Sequence, residues 1–304
     1  MEPLTLFVER CPHERSRAQR GLGTLGAYAE LTKPRITTMV LISTAAGYWT
    51  AGDDTWRLAG LLHTLCGTGA LAAGTAALNQ WYERDTDALM RRTLRRPIPD
   101  GRIAPAHGLA FGLALSMLGV VYLIVETNVL AAAAGLLTLA SYLLVYTPLK
   151  RRSSICVFVG AAAGAMPPVI GYVAASGHLA WGALALFSIL FIWQIPHVYA
   201  IAVMYRDDYD RGGLKMLPAA SRQGGNPGRH IVAWSALLIL ASVSPTMFGV
   251  AGVSAALGGV VLALLFLRQG ARFLVEPTTQ RAREVLVASV VYLPLVLLMT
   301  LIGR

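Results

Sequence analysis

Long apolar runs, one after another, leave this chain of 304 residues few ways to fold. A hydrocarbon core about 30 Å thick takes roughly 20 helical residues to cross, and every backbone amide and carbonyl inside it must be paired within the protein. Nine segments meet that length, at about 35–52, 58–82, 105–125, 129–147, 155–175, 179–205, 230–248, 250–268 and 284–302. A closed barrel would also pair its backbone, but its strands alternate polar and apolar residues, and these runs do not. The expected class is therefore all-α and polytopic, a helical bundle in the membrane. Charged residues make up 14% of the chain, against about 25% in soluble domains. The longest polar gaps, about 83–104 and 206–229, are too short for a separate soluble domain. Residues 1–304 thus read as one transmembrane domain, with 1–30 as a cytoplasmic tail.

A formal net charge of +10 raises the question of a nucleic-acid partner, and the distribution of the charge answers it. Of 26 Lys and Arg, 24 lie in the segment through Arg35 or in the loops after the second, fourth, sixth and eighth helices. Only Arg57 and Arg304 fall on the other side. Basic loops face the cytoplasm, which puts the N-terminus inside and the C-terminus outside. The basicity is topological, and no nucleic acid is expected. Cys11, Cys66 and Cys156 are scattered and make neither a disulfide frame nor a zinc site. The first 20 residues mix Arg10, Arg15, Arg17 and Arg20 with Glu2, Glu9 and Glu14, unlike a cleaved signal or an acid-poor transit peptide. A bacterial inner membrane is the simplest address.

Against this background the stretch NQWYERDTDALMRRTLRRPIPDG, Asn79 to Gly101, stands out for its charge. Asn79, Glu83 and Asp87 are successive i, i+4 positions and share one face of a helix, whereas Asp85 points nearly opposite. An amide and two carboxylates on one face offer hard oxygen ligands of the kind Mg²⁺ takes together with substrate phosphates. Arginines downstream would meet the phosphate oxygens. A second acidic and basic cluster, YRDDYDRGGLKMLP, follows the sixth helix, on the same side and four helices later. The two clusters imply a parallel pseudo-repeat with one cavity at the cytoplasmic face.

The spacing N-x-x-x-[DE]-x-x-x-D resembles the first motif of the UbiA-type intramembrane prenyltransferases. LTKPRI, ERDTDALMRRTLRRP, YTPLKRR, GAMPPVIGY and WQIPHVYAIAVMYRDDY are similar, in order from about residue 28 to 218, to the haem-farnesylating branch of that family. The resemblance implies a single prenyltransferase domain that moves the farnesyl group of farnesyl diphosphate to a vinyl group of haem b, with water added, to give haem o. It also implies Mg²⁺ as cofactor, membrane lipid as surroundings, and a haem A synthase or oxidase assembly partner downstream. Matched to the motifs, Asn79, Glu83, Asp87 and Asp208 are the catalytic set. Asn79, Glu83, Asp87, Asp207 and Asp208 are the metal candidates. Arg91, Arg95, Arg96, Lys150 and Arg151 are the diphosphate candidates, and His197, in the PH motif, is the candidate haem ligand. Two residues depart from the pattern: Glu83 stands where Asp is usual, and Cys156 where the haem branch often has Asn. Gly212 follows Asp208 where relatives acting on aromatic acceptors carry a second Asp.

Other residues read as architecture. Pro167 and Pro168 should break or kink the fifth helix, Gly160 and Gly164 suit close helix packing, and Lys33 and Arg35 flank Pro34 as interfacial anchors. For His197, a packed, hydrogen-bonded role stands beside the haem role. The rival functions are a UbiA-type enzyme with a quinone-type aromatic acceptor, a secondary transporter, and a haem-binding subunit without catalysis. A transporter would place its ionisable groups near the bilayer midplane, and this chain gathers its carboxylates at one surface.

Overall fold

The computed structural model describes residues 17–51, 58–218 and 225–303, all helix, turn and loop, with no strand among them. Cys11, His13, Arg57, Arg304 and the mixed charges of residues 1–16 lie outside the described residues. The helices are α1 (Arg17–Leu31), α2 (Pro34–Thr50), α3 (Leu58–Asp87), α4 (Pro105–Glu126), α5 (Val129–Ala140), α6 (Cys156–Gly164), α7 (Met166–Ser176), α8 (Trp181–Met204), α9 (Arg206–Arg211), α10 (Gly228–Met247), α11 (Val253–Val275) and α12 (Thr279–Ile302). Eight apolar spans of 20 to 30 residues are long enough to cross a membrane, with α5 extending to Leu149 and α6 joined to α7. With its 17 residues, α2 is the short ninth. Among the described residues, eight of the nine expected crossings thus have the full length, and α2 lies just short of it.

The segment expected as a tail holds α1, whose Ala27 and Leu31 are buried with Ala77 of α3 and with Ile98 and Ile103 of the following loop. Their outward counterparts on α4, Leu113, Met117, Leu118 and Val121, remain exposed. A face of that kind belongs against lipid tails. Since lipid is as apolar as leucine, helix association here rests on close packing rather than on removing apolar surface from water.

Two departures from regular helix position the site. The fifth crossing breaks at Ala165 (φ −91°, ψ −4°), and Pro167 and Pro168 occupy the first turn of α7, where a missing amide proton costs nothing because those amides have no intrahelical partner. After α5, the chain widens into a π-helical turn, Ser141–Tyr146, before the short helix Thr147–Leu149. The Thr147 hydroxyl donates to the Tyr142 carbonyl at 2.8 Å. Pro148 comes next and has no amide proton, so the ladder cannot continue regularly through it.

The closest backbone approach is not at the small-residue pair expected from the sequence. Gly160 lies against the Tyr146 ring and Gly164 against the Gln194 side chain. Backbone meets backbone between α3 and α4, at Gly74 and Gly119, and most closely between α2 and α7, where a Cβ on Gly47 would overlap the Pro168 carbonyl and one on Gly171 the Thr44 carbonyl. Neither helix has a flexible side chain there to move aside. Gly171→Ala should therefore destabilise the bundle by about 1–3 kcal/mol, the usual cost of overpacking. Gly26→Ala, whose Cβ meets nothing within 4 Å, should be neutral or slightly stabilising. Thermal unfolding of the two variants in detergent measures the difference; equal midpoints would refute the packing argument.

Candidate active site

Built of 30 residues, α3 is about 45 Å long at 1.5 Å per residue and outruns the hydrocarbon core. Its helix continues to Asp87, five residues past the apolar run, so Asn79, Glu83 and Asp87 do share one face where it emerges. Asn79 and Asp87 are buried, while the side chain of Asp85 is 85% exposed with a loose pairing to Arg84 at 3.7 Å.

Each member of the ladder is met by a cation or donor from another segment. Lys150 Nζ donates to Glu83 Oε1 at 2.8 Å, and Asn79 Nδ2 donates to Glu83 Oε2 at 3.0 Å. Lys33 Nζ donates to Asn79 Oδ1 at 2.9 Å, and Arg96 donates to Asp87 Oδ2 at 2.6 Å. Asp87 Oδ1 is buried without a hydrogen-bond partner. Charges drawn out of water need such partners, because an isolated buried ion is far costlier than a paired one.

Lys33 corrects the expectation of an interfacial anchor. It holds a left-handed backbone (φ 47°, ψ 64°) ahead of Pro34, a conformation that costs a non-glycine residue roughly 1 kcal/mol, and its ammonium turns inward onto the ladder. Burial pulls its pKa down to about 7, helped by the nearby Arg96 charge and opposed by Glu83. The π-helical turn supplies the other part that spacing alone did not reveal. Lys150 Nζ lies 4.4 Å from the centroid of the Tyr146 ring, which itself is 4.9 Å from that of Tyr142. Thr147 accepts a long hydrogen bond from Asn79 Nδ2 at 3.4 Å.

The second cluster closes over the first. Asp208 accepts from the backbone amides of Arg91 at 3.0 Å and Arg92 at 3.2 Å, and it pairs with Arg211. Burial alone would raise the Asp208 carboxyl; the Arg211 guanidinium and the two amides outweigh it and hold the carboxyl below its ordinary value. Arg92 lies over the rings of Tyr205 and Tyr209, 4.9 and 5.8 Å from their centroids. Gly212 packs against Thr86 and Met90, where an added Cβ would come within 3.2 Å of both. Lys215 N donates to the Lys150 carbonyl at 2.7 Å. The loops after α3, after the fourth crossing (α5 and its extension to Leu149), and after α8 are thus joined at one end of the bundle.

Not every predicted residue reaches the ladder. Asp207, Arg91, Arg95 and Arg151 are exposed. His197 belongs to another contact set: its Nδ1 is 2.7 Å from Ser289 Oγ, its ring stacks on Trp193 at 4.8 Å, and Trp193 Nε1 donates to the Ser289 carbonyl at 2.7 Å. Both rings are thereby tied to α12. Cys156 is buried with its sulfur 3.7 Å from Met216 Sδ. Among the described residues no three His, Cys, Asp or Glu side chains converge on one point.

Comparison with known proteins bears on the family and the fold. The model of the UbiA prenyltransferase family matches residues 40–296. Protoheme IX farnesyltransferase from Solibacter usitatus (strain Ellin6076) is 48% identical over 286 residues, covering 91% of this chain and 98% of that protein. The protein of the same name from Koribacter versatilis (strain Ellin345) is 40% identical over 287 residues, covering 91% and 93%. Among solved structures, one concerned with digeranylgeranylglyceryl phosphate synthase superposes with a TM-score of 0.76 at 18% identity, covering 92% of this chain and 98% of that one. A UbiA homologue from Archaeoglobus fulgidus bound to GPP and Mg²⁺ superposes with a TM-score of 0.66 at 14% identity, covering 90% and 99%. At these identities the structural likeness speaks for the fold.

Asp208 is the pin through which the loop of residues 88–104 is held to α9. Hydrogen bonds to a charged group contribute about 1.5–3 kcal/mol each, so Asp208→Ala should raise tryptic cleavage after Arg91, Arg92 or Arg95 by about tenfold or more. Asp207→Ala, at an exposed neighbour, should leave cleavage unchanged. Equal protection in the two variants would show that the loop is held by something else.

Proposed function

The chain belongs to the UbiA prenyltransferase family, and from that premise we propose that it transfers the farnesyl group of farnesyl diphosphate to a vinyl group of haem b, with addition of water, to give haem o. The observation that carries the choice of acceptor is the near full-length match to relatives named protoheme IX farnesyltransferase. The chain is a multi-pass membrane protein. A bacterial inner membrane is its proposed home, and assembly of a haem–copper oxidase is the proposed use of its product. A transporter reading loses its footing, since the buried carboxylates gather at one end of the bundle and the family is one of prenyltransferases.

Whether Mg²⁺ suits this donor set turns on one atom. Asp87 Oδ1 is buried and unpartnered, an arrangement that carries a penalty unless a ligand completes it. Glu83 lies one turn away on the same face and Asn79 one turn further. Asp87 would hold the ion through this oxygen, with Glu83 and Asn79 joining it where the flexible Lys150 and Lys33 side chains turn from them to the diphosphate, and what it would supply is neutralisation of diphosphate charge as the allylic C–O bond breaks. Asp208 has both oxygens engaged by Arg91, Arg92 and Arg211, which favours a positioning part for it: it fixes the loop that carries the arginines. Asp207 lies beyond the buried set.

The chain's own cations do the remaining electrostatic work. Lys33, Lys150 and Arg96 are fixed beside the carboxylates and are the groups placed to meet diphosphate oxygens; preorganised charges of this kind stabilise a departing anion without reorganising. Arg91, Arg95 and Arg151, exposed at the rim, would draw the diphosphate in. The apolar helix walls would keep water from the allylic cation. For His197 the contacts with Trp193 and Ser289 orient the ring, and we propose that it faces the haem.

Detergent-purified protein given farnesyl diphosphate, haem b and Mg²⁺ should yield a haem heavier by a hydroxyfarnesyl group. No such product, with prenylation of an aromatic acid instead, would overturn the acceptor assignment. Asp87→Asn should lower turnover by about 10²-fold or more. Glu83→Gln, which keeps size and loses charge, should lose activity and demand more Mg²⁺, while Glu83→Asp keeps substantial activity and Asp85→Asn does less damage than Glu83→Gln. An inactive Asp85→Asn beside a normal Glu83→Gln would place the chemistry on the opposite face of α3 and overturn the assignment. His197→Ala should disturb the haem absorption spectrum and weaken haem binding while farnesyl diphosphate still binds. Loss of folded protein without a selective haem effect would assign His197 to packing alone.

A further inference from the structure

Away from that site, α11 and α12 leave a cavity of about 400 Å³ between them, within the range of about 300–1,000 Å³ usual for ligand pockets. Its walls are apolar along the membrane-spanning turns, from Leu265 and Phe266 on α11 to Val287 and Val291 on α12. Leu265, Val287 and Val291 are about half exposed, so the groove opens sideways into the lipid. Its far end is polar, formed by Arg272, Gln280, Arg283 and Glu284.

That polar end lies on the same side of the membrane as the carboxylate ladder. Successive crossings alternate in direction from α3 onward, and the last turn of α11 is tied to the loop after α9 by Asn226 Nδ2, which donates to the Leu274 carbonyl at 2.7 Å. The charges there do not cancel. Arg281 engages both oxygens of Glu284 at 3.0 Å and Glu276 at 3.1 Å, and Arg272 reaches Glu284 at 3.5 Å. Arg283 makes no ion pair among the described residues. Three guanidiniums against two carboxylates leave one positive charge at the head of an apolar groove.

We infer that this groove binds one anionic phospholipid of the cytoplasmic leaflet, its phosphate on Arg272 and Arg283 and an acyl chain against Leu265, Phe266, Val287 and Val291. A phosphodiester carries the single negative charge that the polar end lacks, and guanidinium is the side chain best matched to phosphate oxygens. The site asks for an acyl chain and an anion at once. A zwitterionic lipid supplies the chain but carries its own cation to the arginines, and inorganic phosphate supplies the charge without the chain.

The test uses the full chain in detergent, supplemented in turn with phosphatidylglycerol, phosphatidylcholine or inorganic phosphate, and followed by native mass spectrometry and thermal melting. One phosphatidylglycerol per chain should be retained, and it should raise the melting midpoint, where the other two are stripped and without effect. The double variant Arg272→Gln, Arg283→Gln should weaken retention by about tenfold, the loss expected for about 1.4 kcal/mol. Leu265→Trp, which fills the groove from an exposed position and leaves the charge alone, should weaken it as well. Equal retention of phosphatidylcholine, an equal rise with phosphate, or undiminished retention in the double variant would each overturn the inference.

Discussion

At the emerging end of α3, Glu83 accepts from Lys150 and from Asn79, whose own oxygen accepts from Lys33. The segments around it are shaped so that this buried exchange is tolerable. Charges leaving water carry a penalty of several kcal/mol each, recovered only where geometry and hydrogen bonds are good. The partners come from three crossings, so no single helix can satisfy its own charge. Lys33 needs a left-handed backbone to arrive, and Lys150 follows a π-helical turn that carries Tyr142 and Tyr146 with it.

A second layer of contacts converts these pairings into a closed site. Arg102 donates to Glu30, Asp100 and the Arg95 carbonyl, and Ile98 and Ile103 are buried against Ala27, Leu31 and Ala77. The polar loop of residues 88–104 thus has an apolar footing and a charged strap, and the arginines it presents are held on a frame. Preorganisation matters here because a diphosphate is stabilised by charges that are already in place when it departs.

The crossings, the sidedness of the charge and the helical face of the ladder were all legible in the sequence, because hydropathy, loop basicity and the 3.6-residue period are local signals. What could not be read was which cation meets which carboxylate. Lys33 looked like an anchor because a lysine beside a proline at a helix start usually is one, and nothing local reveals a positive φ. Gly160 and Gly164 carry a recognised spacing and do pack closely, against the side chains of Tyr146 and Gln194, whereas the backbone contact of Gly47 and Gly171, which belong to two crossings, forms no motif. The π-helical turn left only Pro148 as a trace. Asp208 was legible as an acid in the right place; its bonding to two backbone amides 116 and 117 residues away was not.

Those amides also explain why the two acidic clusters are unlike. In the first, Asp87 keeps one oxygen without a partner; in the second, Asp208 has both oxygens engaged by the first cluster's loop and by Arg211. The position four residues after Asp208, where a second acid would complete a ladder, is Gly212, pressed against Thr86 and Met90. A carboxylate there would have to displace the turn that follows the first ladder. Gly212 thus gives a close fit against the turn after α3, and Asp208, the buried carboxylate beside it, fastens the arginine loop. Asp87 keeps the open oxygen, and Asp208 holds the loop of residues 88–104 in place.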